Sequence, residues 1–283
     1  MGLNSFDKEL RGVVFRALSE DIGKGDITSK IVIPAHKKIK AVFLAKEPCV
    51  TCGLNVASIT FRSIDKNIKF RPMVKEGQAV RKGTRLAAVE GNARSILSAE
   101  RVALNFIAML SGIATKTREY VEAVKPFRVK IMDTRKTTPG LRHLQKYAVK
   151  AGGGCNHRMG LYDMVLVKDN HLKAISLKDL IYRIKEKAPE SMKIEIEVDN
   201  LKDFIEVLKA RPDIIMLDNM SIPDMKKAVN MRYGLRPKLE ASGGITLQNI
   251  RKVASTGVDM ISIGALTHSI KSVDISLEFL LDG

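Results

Sequence analysis

Tryptophan is absent from this 283-residue chain, and nine phenylalanines and five tyrosines bring aromatics to only 5%. A binder of single-stranded nucleic acid stacks bases on aromatic faces set among cations, and no stretch of this sequence interleaves the two. Cysteine is scarce as well: Cys49, Cys52 and Cys155 are the only three. So low and odd a count argues against a disulfide framework and points to a reducing compartment, the cytoplasm. Cys49 and Cys52 have the spacing of half a zinc site, with Cys155 and His157 as distant candidate partners. A zinc site of that kind needs a second tight pair, so both thiols are expected as small residues in or beside a buried strand. Long apolar runs are missing too: none approaches the ~20 residues that span a bilayer. The opening MGLNSFDKELRG lacks the basic-then-apolar order of a signal peptide. Phe6 stands where a myristoylation signal has Ser or Thr. No membrane association is expected.

Positive charge, by contrast, is in excess. The 48 Lys and Arg against 31 Asp and Glu give a net charge of +17, in a chain whose 45% hydrophobic content is enough to bury a core. A nucleic-acid binder with this balance would cluster its Lys and Arg and show steep salt dependence. Here the cations are spread along the whole chain, with no basic tail or block. A dispersed field suits a highly anionic small substrate, and much of it is ordinary solvated surface. No nucleic-acid partner is expected.

The two halves of the chain have different rhythms. Residues 1–30 contain a short amphipathic helix with Leu10, Val13, Val14, Ala17 and Leu18 at helical spacing, and EDIGKGDITS then reads as a turn. Residues 38–90 read as short strands: KIKAVFLAKEPCV is apolar, IKFRPM alternates, and VKEGQAVRKGTRLAAVEG separates β-branched residues with glycines, as a sandwich hairpin does. A long helix is expected from about Ser95 to Val124. Val102, Phe106, Met109 or Leu110, and Ile113 form its stripe, Arg101 and Asn105 share a neighbouring face, and Gly112 is a tolerable interruption.

From about residue 128 a short apolar run, a polar end and a helix-like stretch recur. The runs are FRVKIMD, DMVLVKD, KIEIEVD, DIIMLDN, PKLEASGG and DMISIGA. Between them lie LRHLQKYAVK, LKDLIYRIKEK, LKDFIEVLK, IPDMKKAVN and LQNIRKVAST. Such alternation implies a parallel sheet covered by helices. Six strands in series, with no nucleotide-type GxGxxG after the first, favour a β/α barrel over an open sheet.

A β/α barrel works at the carboxyl ends of its strands, so the residues that close these runs carry the information. VKIM is followed by Asp133, Thr134, Arg135 and Lys136, and MVLV by Lys168 and Asp169. IEIE ends in Glu197, IIML in Asp218, LEA in Ser242-Gly243-Gly244, and MIS in Ser262-Ile263-Gly264. Any one of these is explained by a strand meeting solvent; the whole set of polar ends together is not. The SGGIT turn, before a helix expected to start near Leu247, offers backbone N–H groups to a phosphate. It lies on the last two strands, where barrels commonly bind one. Glu197 and Asp218, on neighbouring ends, suit Mg²⁺, which takes few carboxylates and completes its shell with phosphate oxygens. Arg135, Lys136, His157, Arg158 and Lys168 form a cationic set, the arginines presenting planar forks to carboxylates. His36, His143 and His268 are expected as ordinary residues, and His171 as a support of its loop.

DTRKTTPGLR, KYAVKAGGGCNHRMGLYDMVLVKDNH, IEIEVDN, MLDNM, LEASGGI and ISIGALTHS, together with EDIGKGDITS and ERVALNFIAMLSGIAT upstream, resemble the quinolinate phosphoribosyltransferase family. The resemblance covers nearly the whole chain in order. It implies an α/β protein with an N-terminal α/β sandwich domain, residues 1–112, and an incomplete, roughly seven-stranded β/α barrel, residues 113–269, with the tail 270–283 packed on the first domain. It implies quinolinate and phosphoribosyl pyrophosphate as substrates, Mg²⁺ as cofactor, and nicotinate mononucleotide, pyrophosphate and carbon dioxide as products, on the route to NAD. Carried over by motif, Thr134, Arg135, Lys136, His157, Arg158 and Lys168 would meet the dicarboxylate and neighbouring phosphates. Glu197 and Asp218 would address the ribose hydroxyls and Mg-pyrophosphate, and Ser242, Gly243, Gly244, Ser262, Ile263 and Gly264 the 5′-phosphate. Lys136 is the candidate for returning a proton after decarboxylation. Arg101 would reach a partner subunit's site, making a homodimer the least active unit and leaving a hexamer open. A paralogue acting on another pyridine acid is the nearest rival; the intact NHR and TRK strings favour two carboxylates.

Overall fold

A computed structural model describes residues 3–189, 191–234 and 237–280. Among the described residues the strands, in chain order, are β1 (Lys38–Ala45), β2 (Cys49–Val50), β3 (Lys69–Pro72), β4 (Ala79–Val80), β5 (Arg85–Asn92), β6 (Lys130–Met132), β7 (Val165–Val167), β8 (Ile194–Val198), β9 (Ile214–Asp218), β10 (Lys238–Ser242), β11 (Met260–Ser262) and β12 (Ile275–Leu280). They divide between two compact units, one drawn from Met1–Arg118, Thr137–Gly153 and Leu266–Gly283, the other from Glu119–Lys136 and Gly154–Ala265.

The first unit is built on a four-stranded sheet in the order β12-β1-β5-β3, with every pairing antiparallel. The alternating sequence of the strands puts one face against a core that includes Phe43, Leu86, Ile96 and Ile107. Phe43, Phe61 and Phe70 meet there, each pair of ring centroids 5.9 Å apart. Against the sheet lies the helix Ala93–Ala123, whose buried Ile96, Ala99, Ala103, Ile107, Leu110 and Ala114 recur at helical spacing. That helix is long and apolar enough to cross a membrane by length and composition, but 61% of its apolar window is buried inside the protein, as in a core helix. Gly112 is more than a tolerable interruption: a Cβ there would overlap the Lys271 carbonyl, so the glycine admits the backbone leading into β12. That last strand pairs along β1 from Ala45↔Ile275 to Lys40↔Leu280.

Three local expectations change. The expected hairpin over 74–91 does not form: β4 pairs with β2, while β5 pairs with β1 and β3. The chain turns at Gly83, φ 84°, and its N–H donates to Ala45 O, so the turn leads from one sheet into another. A glycine turn reveals a reversal but not the partner of the strand it releases. The expected turn EDIGKGDITS is confined to its centre. The first helix runs from Leu3 to Ile22, and Asp26 caps a second from Ile27 to Val32 by accepting the Ser29 N–H. In the other unit, the helix expected from Leu247 spans Ile250–Ala254. Cys49 lies on β2, Cys52 is buried just beyond it, and the thiols are free.

The second unit holds a six-stranded parallel sheet ordered β6-β11-β10-β9-β8-β7. The six apolar runs of the sequence are these six strands. A parallel bridge from Met132 to Cys155 adds a seventh position outside β6, and among the described residues no ladder joins Cys155 to β7, so the barrel is incomplete. Helices Leu177–Lys187, Leu201–Ala210 and Ile222–Met231 follow β7, β8 and β9. Each is started by a side chain, Ser176, Asn200 or Ser221, that accepts the N–H three residues on, satisfying a donor the helix itself leaves open.

Candidate active site

The carboxyl ends of β7, β8 and β9 gather a cation and two acids. Lys168 follows β7 and begins the helix Asp169–Ala174. Its N–H donates to His171 Nδ1 at 2.9 Å, and the His171 N–H donates back to Lys168 O at 2.9 Å. With the backbone fixed by this closed pair, the ammonium reaches Glu197, Nζ to Oε2 3.0 Å. Glu197 is the fourth residue of β8, its side chain 11% exposed against 43% for Lys168. Asp218 ends β9 and accepts an N–H from the Asn219 amide at 2.8 Å.

Asn219 also shapes the turn after β10. Its φ of 54° is left-handed, a conformation asparagine tolerates better than most residues. Its backbone N–H donates to Ser242 O at 2.8 Å, and Ser242 stands in register opposite Asp218. Gly243 has φ 91° and Gly244 φ 60°. A Cβ on Gly243 would overlap Asn219 Oδ1, so dihedral and packing both demand glycine there. Asn249 pins the turn, donating to Gly244 O at 2.8 Å and accepting the Thr246 N–H at 2.9 Å. One strand further on, Ser262 and Ile263 are buried, and the Ile263 N–H donates to Met132 O.

After β6, Asp133 is fully buried. Its two oxygens accept the Asn156 amide at 2.5 Å and the His157 N–H at 2.9 Å, so this carboxylate sets the start of the NHR turn. Thr134 Oγ1 accepts the Lys136 N–H at 3.0 Å, while the Lys136 side chain is exposed. Arg158, 8% exposed, donates to Met164 O at 3.0 Å. Burial, and after it the positive charge of Arg135, lower the pKa of its guanidinium. Asp163 holds the turn beyond, accepting N–H groups from Met159 at 2.7 Å and Gly160 at 3.0 Å.

His157 turns into the strand layer. Its Nε2 is 3.0 Å from Glu195 Oε2 and 3.6 Å from Glu240 Oε1. Glu195, Glu197 and Glu240 face the same side of the sheet, because alternate residues share a face and Glu197 and Glu240 are both in register with Met216. Burial, and after it the charge of Glu195, push the Glu240 carboxyl up to about 7. The ligand atoms of His157, Glu195 and Glu240 all lie within 4.8 Å of one another, but the ring is set against a metal. Nδ1 accepts the Arg158 N–H at 2.8 Å, which places the proton on Nε2, the atom that would have to ligate; a ligating histidine donates from its second nitrogen instead. A cavity of about 680 Å³ reaches this cluster from the amino ends of the strands, past Lys130, Lys193, Asp213 and Lys238.

The residues expected at the site are therefore distributed as follows. Lys168, Glu197, Asp218 and the SGG turn occupy consecutive strand ends, and Arg135 acts on Arg158. Arg101 is exposed on the helix Ala93–Ala123 of the other unit. Glu195, Glu240 and Asn219 escaped the sequence reading. The first two had a signal: an acid inside an apolar strand run is rarely buried without a function or a partner. Asn219 had none, since its role depends on the left-handed turn it adopts.

Parallel strands arranged this way, with charged groups at their carboxyl ends, define a β/α-barrel enzyme. Residues 26–111 match the N-terminal domain, and residues 113–278 the C-terminal domain, of quinolinate phosphoribosyl transferase. The chain is 42% identical over 266 residues to a probable carboxylating nicotinate-nucleotide pyrophosphorylase of Synechocystis, covering 93% of this chain and 90% of that one. The solved structure of NadC from Streptococcus pyogenes superposes with a TM-score of 0.92 at 38% identity, covering 99% of each chain. The nicotinate-nucleotide pyrophosphorylase of Francisella tularensis does so with 0.91 at 40% identity, covering 96% of each. The chain belongs to the quinolinate phosphoribosyltransferase family.

Proposed function

We propose that the protein transfers the phosphoribosyl group of phosphoribosyl pyrophosphate to quinolinate and decarboxylates the product, giving nicotinate mononucleotide, pyrophosphate and carbon dioxide for NAD biosynthesis. The observation that carries this reading is the set Lys168, Glu197 and Asp218 on three consecutive strand ends, in a chain of this family. The pyridine nitrogen attacks the anomeric carbon as pyrophosphate leaves, and positive charge grows on the ribose. Glu197 and Asp218 face that charge, while Lys168 and Lys136 face the departing polyanion. Arg135 and Arg158 bind the two ring carboxylates, with His157 holding Arg158 in place. The adjacent carboxylate then departs as carbon dioxide, leaving its bonding electron pair on the ring carbon, where the positive pyridinium nitrogen stabilises it, and Lys136 delivers a proton to that carbon. Thr134 lines the approach, and Ser242, Gly243, Gly244, Ser262, Ile263 and Gly264 receive the 5′-phosphate.

The oxygen donors of Glu197 and Asp218 fit Mg²⁺, a hard cation that takes one or two carboxylates alongside substrate phosphates. Bound with pyrophosphate, it would neutralise the leaving group. Arg101 from a second copy of the chain completes the site, so the active unit is at least a homodimer. The free thiols Cys49, Cys52 and Cys155 suit a reducing compartment such as the cytoplasm.

The test is product analysis with phosphoribosyl pyrophosphate, Mg²⁺ and either quinolinate or nicotinate. Stoichiometric carbon dioxide and nicotinate mononucleotide from quinolinate, with no turnover of nicotinate, is the expected result. Turnover of nicotinate without gas release would overturn it in favour of a paralogous activity.

A further inference from the structure

We propose that Asp163 is a positioning residue for Arg158: it closes the turn that follows the arginine and so holds the guanidinium with its Nε edge open to a substrate carboxylate. The inference rests on the reading of Arg158 as a ligand of quinolinate and adds the device that orients it.

Residues 156–164 lie between the bridge at Cys155 and β7, in neither helix nor strand. No ladder fixes this stretch, so its shape depends on side chains that take up its N–H groups. Asp133 does this at the start, accepting the Asn156 amide and the His157 N–H. Asp163 does it at the end. Its Oδ2 accepts the Met159 N–H at 2.7 Å and its Oδ1 the Gly160 N–H at 3.0 Å. Both oxygens are engaged, and bonds to an ionised acceptor are the strong ones. The turn they close is tight, for a Cβ on Gly160 would overlap the Tyr162 ring. Burial would raise the Asp163 carboxyl, but the two N–H groups and the charge of Arg158 outweigh it and hold the acid below its ordinary value.

Arg158 is tied to both ends of that turn. Its backbone immediately precedes Met159, and its Nη1 donates at 3.0 Å to the carbonyl of Met164, the residue after Asp163. The side chain thus spans a ring whose far side is the pair of Asp163 bonds. With those bonds in place, the Met164 carbonyl is fixed relative to the Arg158 backbone, and the guanidinium has one orientation. Without them the two are joined only by an unclosed loop, and the arginine regains rotamers that the carbonyl now excludes.

In the held orientation Nε is buried and has no hydrogen-bond partner among the described residues. Asp163 does not supply one. Its two oxygens are spent on the turn, although its charge favours the arginine cation. A buried N–H left open is costly unless a ligand takes it. A carboxylate arriving on the Nε side of a guanidinium makes a two-point contact, and the positive charge of Arg135, felt by Arg158, suits an anion at that place. Asp163 serves the site by keeping this edge open rather than by filling it.

The experiment is a double-variant cycle read by isothermal titration with quinolinate. Asp163→Ala should weaken binding by about tenfold, the scale of one lost hydrogen bond, and Arg158→Ala by more. Adding Asp163→Ala to Arg158→Ala should change the affinity no further, because the arginine through which Asp163 acts has gone. In steady state Asp163→Ala should raise the quinolinate KM far more than it lowers kcat, with the KM for phosphoribosyl pyrophosphate as control. Wild-type affinity in Asp163→Ala, or a loss that adds in full to that of Arg158→Ala, overturns the proposal. If Asp163→Ala does not fold, Asp163→Asn, of the same shape with one accepting oxygen in place of two, enters the cycle under the same criteria. The ¹⁵N relaxation of Arg158 Nε, assigned by its absence from Arg158→Ala, reads the orientation without substrate. It should report a rigid side chain in wild type and a mobile one in the Asp163 variant, and a side chain equally rigid in both overturns the proposal. If Arg158→Ala binds quinolinate as tightly as wild type, the reading of Arg158 as a substrate ligand falls, and the relaxation measurement alone decides whether Asp163 holds the guanidinium.

Discussion

Lys168 Nζ lies 3.0 Å from Glu197 Oε2, joining the end of β7 to the end of β8 by a pair that is open to solvent on the lysine side and nearly closed on the glutamate side. An acid so placed remains close to whatever binds above it. Glu197→Gln keeps the shape and removes the charge. Loss of one such electrostatic group from a transition state costs on the order of 10²-fold in kcat, with little change in KM. Equal losses in kcat and in substrate affinity would point instead to a collapsed site, and circular dichroism alongside the kinetics separates the two.

Arg158 is 8% exposed and one strand of its hydrogen bonding already goes to Met164. Arg158→Ala should raise the quinolinate KM by an amount equivalent to about 2–5 kcal/mol, the cost of leaving a partner charge unpaired. Arg158→Lys should rescue little, since a point charge does not replace a planar fork. Isothermal titration with quinolinate reads both directly, and near-normal binding by the alanine variant would remove Arg158 from the site.

Gly243→Ala meets two obstacles, a φ of 91° and the Asn219 amide. Strain of this kind costs about 1–3 kcal/mol. A lower melting temperature and a raised KM for phosphoribosyl pyrophosphate are expected, with the quinolinate KM less affected. Gly243→Ala combined with Asn219→Ala should recover part of the stability, as removal of the overlapping amide leaves only the dihedral cost. An additive double variant would contradict the packing argument.

Stability should depend on pH through Glu240. Its carboxyl rises from 4.5 to about 7 in the folded protein. The folded state therefore holds a proton that the unfolded chain releases, and stability is fully present below pH 4.5 and declines until about pH 7. The change amounts to roughly 3 kcal/mol at most. Glu240→Gln should flatten this part of the curve, measured by urea unfolding at a series of pH values against wild type.

Arg101 should act in trans. Mixtures of Arg101→Ala with Glu197→Gln, each nearly inactive alone, should recover about a quarter of wild-type activity after subunit exchange. Mixtures that stay inactive, in a preparation shown by mass to contain mixed dimers, would place Arg101 in its own subunit's chemistry.

The barrel was legible because each strand carries its own evidence, an apolar run closed by a polar residue, and Lys168, Glu197 and Asp218 sit where that pattern put them. What the sequence left open was partnership between distant segments. VKEGQAVRKGTRL announces two strands and a turn, yet β4 and β5 go to different sheets. Gly112 looks like a flaw in a helix until Lys271 is seen against it. His157 was legible as functional by its place beside Arg158. That its ring faces Glu195 and Glu240 depends on the register of three strands, which no local pattern records.

Strand β12 pairs with β1, joining residues from nearly opposite ends of the chain. During synthesis, β1 emerges early and waits with one edge bare until the ribosome has finished everything between them. The first sheet is thus closed only once β12 has been made, and a chain lacking Ile275–Leu280 would carry an unsealed, aggregation-prone margin along β1.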